Sequence, residues 1–238
     1  MKDVKSTVST IDGQPEHEDL TLRIDGSRPL SAEAVAAVNA VCDRTEDREG
    51  QVRVIVQLSG APQGEWAGEL TVPLVSKWER ALRRLERLPA TIIAIADGDC
   101  GGLALDALLA TDYRIATGSV RLVVPVGDGA TWPGMALYRL ASHGAGAAAI
   151  RRAVLFGDPI EAADALALQL IDELTDDVES ALAVAAERTG AILGSELAIR
   201  RQLMFDAATV SFEEALGVHL AACDRALRRA AAKAVAVA

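Results

Sequence analysis

Aromatic side chains are scarce in this chain: three tryptophans, two tyrosines and three phenylalanines among 238 residues. So few stacking platforms argue against single-stranded nucleic acid as a ligand. Basic charge is short as well. Twenty-four Lys and Arg stand against 34 Asp and Glu, a net charge of −10, and such a chain repels phosphate backbones. No nucleic-acid partner is expected, although a local cation can still hold one phosphorylated small molecule. Cys42, Cys100 and Cys223 are odd in number and form no CxxC, which excludes a disulfide framework or a zinc ribbon. His17, His143 and His219 lie far apart, with no HxxxH or HExxH, so no metal is expected. The G-x-S-x-G elbow, the Walker loop and GxGxxG are missing too, which removes the usual serine-hydrolase and nucleotide cradles. No apolar run reaches the ~20 residues of a membrane span. Residues 1–15 are polar and lack the apolar stretch of a secretory leader. A cytoplasmic protein that touches no membrane and carries no resident cofactor is the expectation.

Half of the residues are hydrophobic, enough for a substantial core. Their periodicity divides the chain. Residues 1–19 read as a polar arm. Strands are expected at 20–24, 51–58, 91–96, 113–116 and 120–126, where apolar residues alternate or run β-branched. Ser31 can cap a helix with Ala34, Val35, Val38, Val41 and Cys42 on one face. Residues 74–88 repeat Leu74, Trp78, Ala81, Leu82, Leu85 and Leu88 at helical spacing, and Pro89 stops the run. A glycine-bearing turn is expected at 97–102, a helix at 103–110 and a loop at 127–134. Beyond Met135 almost everything reads as helix, with segments at 135–142, 145–156, 160–170, 178–193, 196–208 and 212–237. Alternating strand and helix in the front half means a parallel sheet, an α/β fold. The reading is a core over 20–176 followed by a helical region over 177–238.

Two strand-to-turn junctions attract attention. Residues 52–58 run into Gly60, Gly64 and Gly68, and residues 92–96 run into Gly98, Gly101 and Gly102. Ligands of parallel sheets sit at the carboxyl ends of strands. Glycine turns there let two backbone N–H groups converge on one oxygen and stabilise an enolate or oxyanion, each donor being worth ~3–4 kcal/mol. Asp106 lies one helical turn beyond Leu103. The bland alternative is loop glycines and an acidic residue that serves the helix dipole.

Longer stretches carry a resemblance. ADGDCGGLALDALLATDYRIAT (96–117), WPGMALYRLA (132–141) and RRAVLFGDPIEAADALALQLIDEL (151–174) resemble the glycine-rich oxyanion turn and helix, the Pro-Gly helix start and the G-x-x-I-x-A segment of the crotonase (enoyl-CoA hydratase/isomerase) superfamily. VRVIVQLSGAPQGEWAGEL (52–70) is similar to its first oxyanion segment, and SRPLSAEAVAAVNAV (27–41) to its substrate loop and helix. The wording of VSKWERALRRLERLP (75–89) most resembles the crotonase-like subunits that work with a type III polyketide synthase to make 3,5-dihydroxyphenylacetyl-CoA, a dihydroxyphenylglycine precursor in glycopeptide antibiotic synthesis.

The resemblance implies a ClpP-like spiral of ββα units with a C-terminal helical trimerisation region, hence a homotrimer or hexamer. It implies a coenzyme A thioester as substrate and a type III polyketide synthase as partner. The oxyanion donors would be the N–H groups of Glu69, after Ala67 and Gly68, and of Leu103, after Gly101 and Gly102. Relatives usually have glycine at Leu103. The first of the family's two hydratase glutamates falls on Asp106, and the second on Val126, which has no proton chemistry. Ordinary enoyl-CoA hydration is therefore disfavoured, and Asp106 would shuttle a proton in dehydration or aromatisation. Arg28, ahead of Pro29 and Leu30, would meet the nucleotide end of coenzyme A, or be a plain surface arginine. Trp132, with Pro133 and Gly134, and Trp66 would shape an aromatic-sized acyl pocket, or pack in the core. The residues leave a second reading open: a non-catalytic subunit that stabilises or activates the synthase. A third is an acyl-CoA isomerase or hydrolase unrelated to aromatic polyketides.

Overall fold

A computed structural model of the chain describes residues 18–48, 50–64, 66–68, 70–144, 146–190, 192 and 194–237. Most of the stretch read as a polar arm lies outside these residues, and its last two open the first strand. That strand, β1 (Glu18–Asp25), points Leu20, Leu22 and Ile24 into the core. Helix α1 (Ala32–Glu46) follows, and Ser31 caps it as its sequence suggests, its Oγ accepting from the Ala34 N–H at 3.3 Å. Strand β2 (Val52–Gly60) leads into helix α2 (Val72–Glu86), whose Trp78, Ala81, Leu82 and Leu85 are buried. Strand β3 (Thr91–Gly101) then runs down the middle of the molecule. Helix α3 (Leu103–Leu108) and strand β4 (Tyr113–Ala116) come next.

The sheet is parallel along β1, β2, β3 and β4, as the alternation of elements requires. Period-two geometry splits its side chains between two layers. Val54, Val56 and Leu58 of β2 join Ile92, Ala94 and Ala96 of β3 in the core under α1, α2 and α3. Ile55, Ile93 and Ile115 face the other way.

Strand β3 is longer than its sequence suggests. The turn expected at 97–102 instead continues the strand through an irregularity: Ser59 pairs with Asp97 but Gly60 with Cys100. Its first half pairs with β4 and its second half, Asp99–Gly101, with β5 (Arg121–Val123). The bend brings three strand ends together. A Cβ on Gly26 would lie 2.2 Å from the Gly101 carbonyl oxygen and 2.4 Å from that of Gly60. Backbone fills the space, so no side chain fits there.

The strand expected at 120–126 ends at Val123. Residues 126–131 form a small hairpin of β6 (Val126–Gly127) and β7 (Ala130–Thr131). Asp128 and Gly129 both take positive φ, 50° and 79°, the requirement of a type I′ turn. Helices α4 (Met135–Gly144) and α5 (Ala148–Phe156) follow. The helix expected at 160–170 is shorter, because β8 (Ile160–Glu161) pairs with β5 before α6 (Ala162–Ala167) begins. Strand β9 (Glu173–Leu174) adds to β4.

The remaining helices are α7 (Val178–Gly190), α8 (Gly194–Asp206) and α9 (Phe212–Val237). The helical region does not stand apart from the sheet. Ala181 and Ala185 of α7 cover Ile55, Ile93 and Ile115. Arg201 of α8 pairs with Asp112 at 2.7 Å and donates to the carbonyls of Glu86, Leu88 and Ala90. It ties the end of α2 to the start of β3.

Candidate active-site cleft

A cleft of about 500 Å3, open to solvent, lies at the carboxyl ends of β1, β2 and β3, where ligands of parallel sheets collect. Its floor is Gly102 and Leu103 at the start of α3, with Asp106 one turn further. Gly102 takes φ +52°, and a Cβ there would lie 2.7 Å from Pro62, so the turn needs glycine. As the first residue of α3, Leu103 has an N–H without an intrahelical acceptor. Arg114 holds the far end of α3 in place, donating to the carbonyls of Leu108 and Thr111 at 3.1 and 3.2 Å.

All three tryptophans of the chain line this cleft: Trp66, Trp78 and Trp132. The rings of Trp66 and Trp132 meet edge to face, 5.3 Å between centroids and 85° between planes, a favoured aromatic geometry. Trp132 folds back over Gly134, where a Cβ would collide with its indole nitrogen at 2.6 Å. Trp78 is buried in the wall and donates its Nε1–H to Asp106 Oδ2 at 3.1 Å.

Asp106 is 9% exposed. Burial pushes its carboxyl up to about 7, and the nearby charge of Glu79 adds to this; the Trp78 indole, Arg139 and the Ala136 N–H pull the other way. The group titrates where a proton carrier at neutral pH should. Glu79 of α2 shares the cleft. Its carboxyl is also raised, first by burial and then by Glu86, with Arg139 opposing. Arg139 of α4 lies 3.2 Å from Glu79 and 3.2 Å from Glu86, and Arg83 pairs with Glu86 at 2.8 Å.

No family model matches the chain. It is 56% identical to an enoyl-CoA hydratase of Amycolatopsis orientalis over 214 residues, which span 90% of this chain and 98% of that one. The chain belongs to the enoyl-CoA hydratase (crotonase) family. Solved structures share its fold. An enoyl-CoA hydratase of Mycobacterium smegmatis superposes with a TM-score of 0.75 at 17% identity, covering 90% of each chain. An enoyl-CoA hydratase/isomerase family protein of Silicibacter pomeroyi gives 0.74 at 18% identity, over 88% of this chain and 95% of that one.

Within this crotonase-family fold, the structure gathers most of the residues singled out in the sequence. Asp106, Leu103, Gly102, Trp66 and Trp132 line one cleft, and Arg28, Leu30 and Gly134 join them. Arg28 stands at the mouth, its side chain 81% exposed and 3.4 Å from Asp25. Ala67, Gly68 and Pro133 are not among the described residues of the lining. Gly101 is buried one residue behind it, packed on Ala61 and Val123. Glu69 lies outside the described residues. Val126 does not line the cleft either; a Cβ on Gly157 would fall 2.3 Å from its Cγ2, so the side chain rests there. Its carbonyl oxygen accepts from Trp66 Nε1 at 3.3 Å.

The sequence reading missed Trp78 and Glu79. Trp78 reads as ordinary core at helical spacing, which is half of its role. Glu79 had one available signal. It falls on the stripe Val75, Glu79, Leu82, Glu86, which places two acids on an inward helix face. Among the described residues there is no group of three or more His, Cys, Asp or Glu able to hold a metal. No helix among them is long and apolar enough to cross a membrane.

Proposed function

We propose that this protein acts on a coenzyme A thioester whose acyl group is aromatic or becomes so, assisting a type III polyketide synthase in forming 3,5-dihydroxyphenylacetyl-CoA. Leu103 N–H, with Glu69 N–H as second donor, holds the thioester carbonyl and its enolate. Asp106 moves a proton as water leaves the poly-β-keto acyl chain or its cyclised form. Arg28 meets the phosphates of the nucleotide end, and the acidic remainder of the surface keeps other polyanions away. The observation that carries this reading is the aromatic lining. A chain with three tryptophans spends all of them on one cleft, and a flat acyl ring fits against such walls. The relative's name, an enoyl-CoA hydratase, agrees with the thioester class.

A second reading is a non-catalytic subunit that keeps the cleft and activates the synthase by contact. Val126, with no proton chemistry and its side chain on Gly157, favours it. Product analysis of malonyl-CoA with a synthase separates the two. Wild-type protein should raise the yield of 3,5-dihydroxyphenylacetyl-CoA, and Asp106→Asn should cut that gain at least ~100-fold. Full activity of Asp106→Asn would leave only the scaffold role, and no effect of the wild type would remove both.

A further inference from the structure

We propose that Glu79 is the second proton-transferring carboxylate of the cleft, acting beside Asp106 from helix α2 rather than from strand β6, where Val126 stands. The inference rests on the acyl-CoA reading above and assigns the partner that reading leaves open. Glu79 lines the same cleft as Asp106. The residue before it, Trp78, donates to Asp106 at 3.1 Å, which fixes α2 against α3 at this point. The Glu79 side chain is 19% exposed. Most charged residues of a helix stay on its wet face, since burial of a carboxylate is costly. Here the acid lines the open cleft. Arg139, 11% exposed, holds it from the opposite helix at 3.2 Å.

The division of labour follows from the charges. The charges that act on Asp106 are Glu79 of α2 and Arg139 of α4, and the Cys100 thiol of β3, which burial keeps neutral, lies near it. Arg139 already faces Glu79 and Glu86 at 3.2 Å each, while Asp106 has the neutral Trp78 indole as its hydrogen-bond partner, so the proton is retained on Asp106. Glu79 has the guanidinium contact, and Arg139 offsets part of the upward push that burial gives its carboxyl. Asp106 keeps the proton, in line with its upward shift. One site thus holds a base and an acid side by side.

The chemistry balances without a redox partner. Glu79 takes the proton from the α-carbon, and that electron pair moves into the thioester carbonyl as an enolate. The enolate reforms the carbonyl and expels the β-oxygen. Asp106 protonates that oxygen as its bond to carbon breaks, so a C=C bond forms and water leaves. Glu79 is then protonated and Asp106 anionic. Transfer of one proton from Glu79 to Asp106 resets the pair.

The test uses phenylacetyl-CoA and the full chain in deuterium oxide, following exchange of the α-methylene protons by NMR and binding by calorimetry. Wild type should bind and exchange. Glu79→Gln should bind within about 3-fold of wild type but exchange at least ~100-fold more slowly. Glu79→Asp, which keeps the charge toward Arg139 and so protects the fold, should fall in between. The Asp106 carboxyl, read by 13C labelling without ligand, should titrate at lower pH in Glu79→Gln, because a like charge is gone. Wild-type exchange rates in both variants, with binding intact, would overturn the role of Glu79 and leave the acyl-CoA reading standing. Failure of the wild type to bind would overturn both.

Discussion

Asp106 is a carboxyl group almost out of reach of water, and its protonation couples to folding. Its ordinary value is 3.8, raised in the fold to about 7. Between these two values the folded chain binds more protons than the unfolded chain. The contribution of Asp106 to stability is therefore fullest below about pH 4, declines as pH climbs towards 7, and is flat above. The decline amounts to at most about 4 kcal/mol. Asp106→Asn removes the titration and keeps an oxygen for the Trp78 indole. Urea unfolding should show the variant more stable than wild type at pH 8 and equal to it near pH 4. A parallel pH dependence in the two proteins would mean that Asp106 ionises freely. The sequence carried the identity of this residue through the glycine turn and the helix behind it. It did not carry the raised pKa, which depends on Glu79 and on the closure of α2 over α3.

At the scale of elements, α9 is the part whose packing is least complete. Phe212, Leu216, Leu220 and Leu227 fall near one face of the helix and are 76%, 44%, 58% and 70% exposed. Polar contacts fasten this helix to α8: Glu196 pairs with Arg225 at 3.1 Å, with Arg229, and within α8 with Arg200, and these arginines hold its carboxyl down at about 2. An apolar stripe left in water marks an interaction surface, and the trimer or hexamer that the resemblance implies would cover it. Sedimentation of the wild type should give a multiple of 25.0 kDa, and Leu216→Glu with Leu220→Glu should return the single-chain mass. A wild-type mass of one chain would contradict that assembly. The strands and helices of the front half were legible because burial follows period two or 3.6 there. The hairpin β6–β7 was missed, although its Asp128-Gly129 turn signal was present. Strand β3 was read too short because Gly98 and Gly101 look like a turn, yet both sit within a bent strand. Two-residue strands β8 and β9 have no periodicity to read.

For the molecule as a whole, the sheet exists to bring three strand ends and three indoles to one place. Gly26, Gly60 and Gly101 let the ends of β1, β2 and β3 touch. Helices α2 and α4 close the sides with Glu79 and Arg139, and the β6–β7 hairpin lies against Trp66. The central claim is that this cleft polarises a thioester carbonyl at the N–H of Leu103. Isotope-edited infrared spectroscopy of phenylacetyl-CoA carrying a 13C carbonyl measures that contact directly. On binding, the carbonyl stretch should move to lower frequency, and Trp132→Ala should weaken binding of this thioester more than that of acetyl-CoA. A bound carbonyl that vibrates as it does in water would contradict the account.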